Sequence, residues 1–160
     1  MTDKDNDQAL REHLVSLLSG GNAHITLDDF AKDFPPESCG EKVPGLPYTA
    51  WQVLEHMRIA QWDILEFSRN PQHVSPKWPE GYWPEAGNVG NAALWQQSLE
   101  SFRADLKEME DLINDPATDL FATIPHGTGQ TILREALLIA DHNAYHLGVL
   151  VTIDRVTKTA

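Results

Sequence analysis

The hydrophobic positions of this chain recur at intervals of three and four residues, which is the spacing of one face of an α-helix. The pattern is clearest over residues 131–156, where it predicts the central helix of the fold. Further apolar residues fill much of the rest of this helix, so we expect neighbouring elements to cover more than one of its sides. The residues of the main stripe are Leu133, Ala136, Leu137, Ala140, Ala144, Leu147 and Val151.

The same spacing predicts three other long helices upstream. Residues 8–18 carry leucines at helical intervals and are followed by a Gly-Gly pair, which favours a helix end. A second helix begins after Thr49 and runs to about Ser68, because Thr49 and Gln52 have the spacing of a capping box. A third covers about 91–114 and has a heptad-like seam, typical of helices that pack at a shallow angle.

Long connections separate the predicted helices. Residues 35–47 are rich in Pro and Gly, and a short helix capped by Thr26 precedes them. Residues 70–90 contain four prolines and the aromatic residues Trp78, Tyr82 and Trp83. Such a connection either packs over an end of the helices or lines a substrate pocket, and the packing interpretation is favoured.

The fold class follows from these elements. No segment shows the alternation of a β-strand, and four long helices joined by connections of unequal length predict an all-α four-helix bundle. A chain of 160 residues can bury a sizeable core without disulfides. We therefore interpret residues 1–160 as one domain, with its core at about 8–156.

Charge and composition narrow the classes of partner. A net charge of -12, with 12 dispersed Lys and Arg residues, argues against nucleic acid and against an anionic membrane surface. The polar, acidic N-terminus does not resemble a secretory signal, and no apolar run approaches the roughly 20 residues of a membrane span. The single cysteine, Cys39, excludes an internal disulfide and fits a reducing environment. We expect a cytoplasmic protein with a small-molecule partner.

Two histidines, His142 and His146, lie four residues apart on one face of the central helix, close enough for their imidazoles to share one ion. Both could instead hydrogen bond to neighbouring groups, but a metal satisfies them directly and is the favoured interpretation. His56, at the edge of the apolar face of the second helix, is the candidate third ligand. Three protein ligands leave one position open, as at catalytic zinc sites.

The other histidines are weaker candidates for this site. His126 lies in a Gly-flanked loop just before the central helix, where it could approach the metal or the substrate, although an exposed position is favoured. His13, His24 and His73 are expected to be solvated.

Acidic residues could orient a ligating imidazole, and Asp63, Glu135 and Asp141 are available for this role. No general base stands out, because Glu135, on the same face as His142, lies roughly 10 Å before it by helix rise. Cys39 is left out of the mechanism, since its acidic neighbours would raise the pKa of the thiol.

Two familiar metal motifs are absent from the sequence. The His-Glu-x-x-His pattern of zinc proteases needs Glu where this chain has Asn143. The Glu-x-x-His pattern of di-iron bundles occurs nowhere in the chain. The interpretation that remains is a metal site formed by three histidines in a helical bundle.

The segments Trp51–Met57 and His142–Gly148 resemble those of the DinB-like (DinB/YfiT) superfamily of bacterial proteins, and the resemblance extends over about 10–156. It implies a four-helix bundle of up-down-down-up topology, often a homodimer, that binds one divalent metal through three histidines. Carried over to this chain, the ligands are His56, His142 and His146. Members with known activities include thiol-dependent S-transferases and isomerases, and others are described as metal-dependent hydrolases.

Two hypotheses about function follow. In the first, zinc or nickel held by His56, His142 and His146 lowers the pKa of a water or a substrate thiol, so that the chain is a metal-dependent enzyme. Because a thiolate is a soft ligand, transfer of a low-molecular-weight thiol is at least as reasonable as hydrolysis. In the second, the bundle is a non-catalytic module for binding metal or another ligand, or for dimerisation.

Overall fold

The computed structural model of this protein describes residues 3–85 and 87–159. Within that part of the chain all regular elements are helices, and the β contact is an isolated bridge between Thr123 and Thr131. The all-α class predicted from the sequence is therefore confirmed. The α-helices are α1 (Asp3–Ser19), α2 (Leu27–Asp33), α3 (Ala50–Arg69), α4 (Ala92–Asn114) and α5 (Ile132–Thr159), with short 3₁₀ turns at Pro36–Ser38 and Glu80–Tyr82.

The helices begin where their capping residues predict. Thr49 accepts a hydrogen bond from the backbone N–H of Gln52, and the Gln52 side chain accepts one from the backbone N–H of Thr49. Thr26 caps α2 in the same reciprocal way with Asp29. The largest difference is at α1, which begins at Asp3 rather than near residue 8, because its first turns are polar and carry no hydrophobic periodicity.

Each long helix packs mainly against two others. Helix α3 packs along both α4 and α5, and α1 packs along the same two helices from the other side. Two contacts fix α3 against α4: the Trp51 indole N–H donates to Ser98 Oγ, and Gln61 Nε2 donates to the Phe102 carbonyl. The buried Trp95 ring packs against Phe30 of α2 and against Phe34, which follows the end of α2, at centroid separations of 6.5 and 4.9 Å, so the short helix α2 also covers this region.

Two hydrophobic clusters fill opposite ends of these helices. The first joins the start of α3 to the second half of α5, and the second joins the end of α3 to the first half of α5. Each fully buried apolar side chain in them contributes about 1.5–3 kcal/mol. Members of the first cluster include Leu54, Met57, Trp95 and Leu150, and members of the second include Leu65, Met109, Ile113 and Ile139.

A buried arginine closes the end of the second cluster. The Arg11 guanidinium donates to the backbone carbonyls of Ile113, Asp115 and Thr118 at 2.5, 3.0 and 2.7 Å. The last carbonyls of a helix lack partners within the helix, and the fixed fork of a guanidinium can satisfy several of them at once. Arg11 therefore ties α1 to the C-terminal end of α4.

Helix α5 is the most apolar of the five. By length and composition alone it could cross a membrane, a test that the core helix of a soluble protein also passes. One face of it is buried against the rest of the fold through Leu147, Leu150 and Ile153. The expectation that neighbouring elements cover more than one side of this helix is therefore wrong, since Leu137 of the predicted stripe is 45% exposed and Tyr145 is 70% exposed.

Candidate metal centre

The structure brings together the three histidines singled out in the sequence. His56 projects from α3 towards His142 and His146, which are successive on one face of α5. The Nε2 atom of His56 lies 3.1 Å from the Nε2 atom of His142 and 3.1 Å from that of His146. We refer to these three residues as the histidine cluster.

A backbone carbonyl fixes the tautomer of His56. The Nδ1 atom of His56 lies 2.8 Å from the carbonyl oxygen of Tyr82. A carbonyl can only accept, so Nδ1 carries the proton and Nε2 presents its lone pair to the other two imidazoles. A backbone carbonyl behind a ligating imidazole is a common arrangement at metal sites, since it orients the ring and raises the basicity of the ligand atom.

The three imidazoles cannot satisfy one another. One lone pair accepts one well-aligned hydrogen bond, yet two imidazole nitrogens lie 3.1 Å from Nε2 of His56. In the described part of the chain, the buried Nδ1 atom of His146 has no hydrogen-bond partner. Nitrogen ligands of a divalent ion stand about 3.0–3.4 Å apart when each is about 2.0–2.1 Å from it, so the cluster fits such an ion.

Burial lowers the pKa of all three imidazoles. The pKa of His142 and that of His146 fall to about 4, because both rings are removed from water and also face neighbouring imidazoles. At His56 burial lowers the pKa more than the Tyr82 carbonyl raises it. The three rings are therefore neutral near pH 7, which is the form that binds a metal.

The aromatic connection of residues 70–90 lines this site. The Trp83 ring stacks on the His56 imidazole at 4.0 Å with an interplanar angle of 2°. Tyr48 stacks in turn on the outer face of Trp83 at 3.8 Å. At Trp83 the structure therefore supports the interpretation that this connection lines a pocket. Trp78 does not share this role, because it is 71% exposed.

Behind the stack, a second buried polar group holds the connection in place. The Tyr82 phenol donates to Asp63 at 2.6 Å, and the other oxygen of Asp63 lies 2.7 Å from His73 Nε2. Burial, followed by the hydrogen bond to Asp63 and then by the Asp63 charge, raises the pKa of the Tyr82 phenol to about 12, so it remains a donor. We refer to Asp63, His73 and Tyr82 as the aspartate clip.

The aspartate clip corrects two expectations from the sequence. Asp63 was a candidate to orient a ligating imidazole directly, but it acts through Tyr82, whose backbone carbonyl contacts His56. The expectation that His73 is solvated is wrong, because its side chain is 6% exposed and is paired with Asp63. A lone histidine in a proline-rich connection carries no pattern that would reveal this pairing.

A chain of side-chain amides fixes the rotation of α5. Asn143, next to His142, donates to Gln61 on α3, and Gln61 donates to the Phe102 carbonyl on α4. The two bonds are 2.8 and 2.7 Å long, and Gln61 is 1% exposed. Because a buried amide must find partners, this chain holds three helices in register at the level of the histidine cluster. The sequence analysis did not identify Gln61.

The remaining candidates lie elsewhere. His126 is exposed and hydrogen bonded to the Phe67 carbonyl, which is three turns beyond His56 on α3, so it does not line the site. Buried Glu135 accepts a hydrogen bond from Arg134, and Asp141 is exposed. Cys39 is fully buried, and burial raises the pKa of its thiol to about 11.

Among the residues that the structure describes, no carboxylate is hydrogen bonded to the histidine cluster. His13 and His24 are exposed, as expected from the sequence.

Comparison with known proteins matches this chain to one protein family. The family model for the DinB superfamily matches residues 23–150, a range that includes all three residues of the histidine cluster. Neither the comparison with curated proteins nor that with solved structures gave a match.

Proposed function

Since this chain belongs to the DinB superfamily, we propose that it is a metal-dependent enzyme that holds one divalent ion at its histidine cluster, His56, His142 and His146. The observation that carries this proposal is the convergence of three neutral imidazoles, in which the Nε2 atoms of His142 and His146 both lie 3.1 Å from the single lone pair of His56 Nε2. Leaving such groups buried and unpaired costs free energy, which bound metal would recover.

A divalent ion at such a site supplies Lewis acidity, which lowers the pKa of a water or a thiol bound to it. The protein's own residues prepare the site. The Tyr82 carbonyl holds the proton of His56 on Nδ1, and Trp83 covers one face of that ring from water. Asn143 keeps α5 rotated so that His142 faces α3.

Zinc and nickel are the proposed metals, because neutral imidazoles suit both ions. Transfer of a low-molecular-weight thiol and hydrolysis are both compatible with a three-nitrogen site that leaves a position for substrate. The softness of a thiolate favours the transfer reaction.

We also propose that the four long helices follow an up-down-down-up course. Successive contacts between α3 and α4 advance in the same direction along both helices, from Trp51 with Ser98 to Gln61 with Phe102. Helix α5 advances the opposite way against α3, since Gln61 pairs with Asn143 while Val53 lines a groove with Ile153.

The decisive experiment is metal analysis of protein purified without a tag or chelator. We expect about one divalent ion per chain in wild type, and loss of that ion in His56→Ala and in His142→Ala. His126→Ala is the matched control, because it removes an exposed histidine away from the cluster and should keep the ion. Circular dichroism would verify that each variant is folded.

Two outcomes would contradict the metal site: no uptake from excess zinc or nickel by the wild type, or undiminished metal content in both cluster variants. Turnover of a small electrophile with a low-molecular-weight thiol, or hydrolytic turnover, would then be compared with and without metal. Turnover that requires metal and is lost in folded His142→Ala supports an enzyme. Unfolding on metal removal, with no turnover in any assay, favours the non-catalytic module.

A further inference from the structure

A groove opens directly beside the histidine cluster. Trp83 forms one wall and α5 the other, and His146 lies between them. The Trp83 and Tyr145 rings both meet the His146 imidazole edge to face, at 6.3 and 4.9 Å. We refer to this space, between residues 46–48, Trp83 and the α5 residues from Tyr145 to Ile153, as the apolar groove.

The apolar groove has the size and composition of a small-molecule site. Its volume is about 370 Å³, within the range of roughly 300–1,000 Å³ in which ligand pockets fall. Buried Val53 and Ile153 form its floor, and the half-buried Val149 lies beside them. Among the described residues that line it, none is Asp, Glu, Lys or Arg.

Charge limits what can bind there. Apart from an ion held at the histidine cluster, none of the side chains that line the groove is a cation that could pair with a carboxylate, sulfonate or phosphate. The chain as a whole carries a net charge of -12, so its field opposes the approach of anions. A carboxylate placed in this groove would lose hydration without gaining a partner.

Aromatic rings define the mouth of the groove. Tyr145 is 70% exposed at the rim, and Tyr48 extends the stack of Trp83 outwards from His56. Planar aromatic surfaces around an apolar floor favour a ligand with an aliphatic or aromatic body. A ligand lying along this floor would reach His146 with one end.

From these observations we infer that the apolar groove binds the body of an uncharged aliphatic or aromatic substrate and presents its reactive end to the histidine cluster. The inference rests on the proposed function, which it deepens by naming the substrate class. It also selects against carboxylate-bearing thiols as occupants of the groove. Tyr145 and Val149 would act as specificity-determining residues.

The test uses cobalt in place of the native metal, because a thiolate bound to cobalt produces a charge-transfer absorption band that reports binding. Ethanethiol, 1-propanethiol and 1-butanethiol would be titrated into the cobalt-loaded protein. We expect the affinity to rise by up to roughly fourfold for each added methylene that enters the groove. 6-Mercaptohexanoate, whose carboxylate is too far from its thiolate to form a small chelate ring with the same ion, should bind more weakly than the neutral 1-hexanethiol.

Two substitutions locate the effect in the groove. Val149→Lys should weaken 1-butanethiol binding about tenfold and reduce the preference for 1-hexanethiol over 6-mercaptohexanoate, because it places a cation beside the floor. Tyr145→Ser, at an exposed position that tolerates polar residues, should flatten the chain-length dependence without affecting folding. Leu137→Lys is the control: it changes an apolar residue of α5, 45% exposed, that does not line the groove.

The outcomes separate this inference from the proposed function. Cobalt binding with thiol affinities that ignore chain length, or that favour the anion, would overturn the inference and leave the metal site intact. No cobalt binding would overturn the metal site. In that case binding of the neutral dye N-phenyl-1-naphthylamine decides about the groove: saturable binding weakened by Val149→Lys and unchanged by Leu137→Lys supports it, and its absence overturns it.

Discussion

The histidine cluster and the aspartate clip are two groups of buried polar side chains that share helix α3, and they differ in how their members are satisfied. In the clip, Asp63 accepts from the Tyr82 phenol and pairs with His73, so both of its oxygens have partners. In the cluster, three imidazole nitrogens point at one another, and Nδ1 of His146 has no hydrogen bond in the described structure.

This difference separates a structural role from a binding role. A buried polar group that has all its hydrogen-bond partners stabilises one arrangement of the chain. Converging lone pairs lack such partners, and a bound ligand can supply them. The clip also serves the cluster, since Tyr82 belongs to one through its phenol and contacts the other through its backbone carbonyl. Four changes to the chain or its conditions would test the distinction.

The largest effect is expected from Asp63→Ala. This substitution removes the acceptor of the buried His73 imidazole and of the Tyr82 phenol, and we expect the free energy of unfolding to fall by about 3 kcal/mol. Urea denaturation of the metal-free protein measures it. Asp63→Asn is the matched control, because it keeps an acceptor oxygen and should lose less than half as much. A loss below about 1 kcal/mol for Asp63→Ala would show that the clip is not structural.

The second effect concerns His146→Ala, which should behave in the opposite way. In metal-free protein we expect a change of less than about 1 kcal/mol, because the substitution removes an imidazole that is not satisfied. Wild type with zinc at 100 times its dissociation constant should gain about 2.7 kcal/mol, and the variant should gain far less. Thermal unfolding with and without zinc measures both quantities. A large destabilisation of the metal-free variant would place His146 with the structural residues.

The third effect is the response of the metal-free protein to acid. The folded pKa of His142 and that of His146 are about 4, below their ordinary value of 6.5, and the folded pKa of His56 is also lowered. As the pH falls from 6.5 towards 4, these histidines become protonated in the unfolded chain but stay neutral in the folded chain. The free energy of unfolding therefore decreases over this window.

Urea midpoints between pH 7 and pH 4 would measure this decrease. The double variant His142→Gln/His146→Gln should show a shallower decline than wild type, because two of the shifted groups are gone. Equal slopes for the two proteins would contradict the lowered pKa of these histidines.

The smallest effect is expected from Trp83→Leu. The stack of Trp83 on His56 restrains the ring that presents its lone pair to the cluster. Losing an aromatic stack of this kind costs about 0.5–1.5 kcal/mol, which corresponds to at most roughly tenfold weaker zinc binding. Calorimetric titration measures the affinity. Trp78→Leu, at a position 71% exposed, is the control and should bind zinc as wild type does.

Much of the fold was predictable because helices are specified locally. The capping box of Thr49 and Gln52 depends on residues three positions apart, and the helical spacing of α5 on residues three and four apart. The buried face of α5 was not predicted, because only Ala136 and Leu147 of its predicted stripe are buried. Helix α1 was predicted too short at its start, since its polar first turns give no hydrophobic periodicity.

The three histidines of the candidate site could be predicted from the sequence, whereas the groups that contact them could not. His142 and His146 must lie on one face of any helix that contains both, and His56 stood out at the edge of an apolar face. The partner of His56 is a backbone carbonyl, which every residue possesses, so no residue type in the sequence marks Tyr82 for this role.

The sequence by itself determined the helices, their caps and the histidine pair of α5, because each of these depends on residues within about one turn of one another. The tertiary structure alone decided that His56 meets this pair across 86 and 90 residues of chain, that Trp83 covers its ring, and that His73 is buried against Asp63. Those contacts come from the packing of α3 against α5 and from the path of a proline-rich connection, and neither is encoded by the spacing of nearby residues.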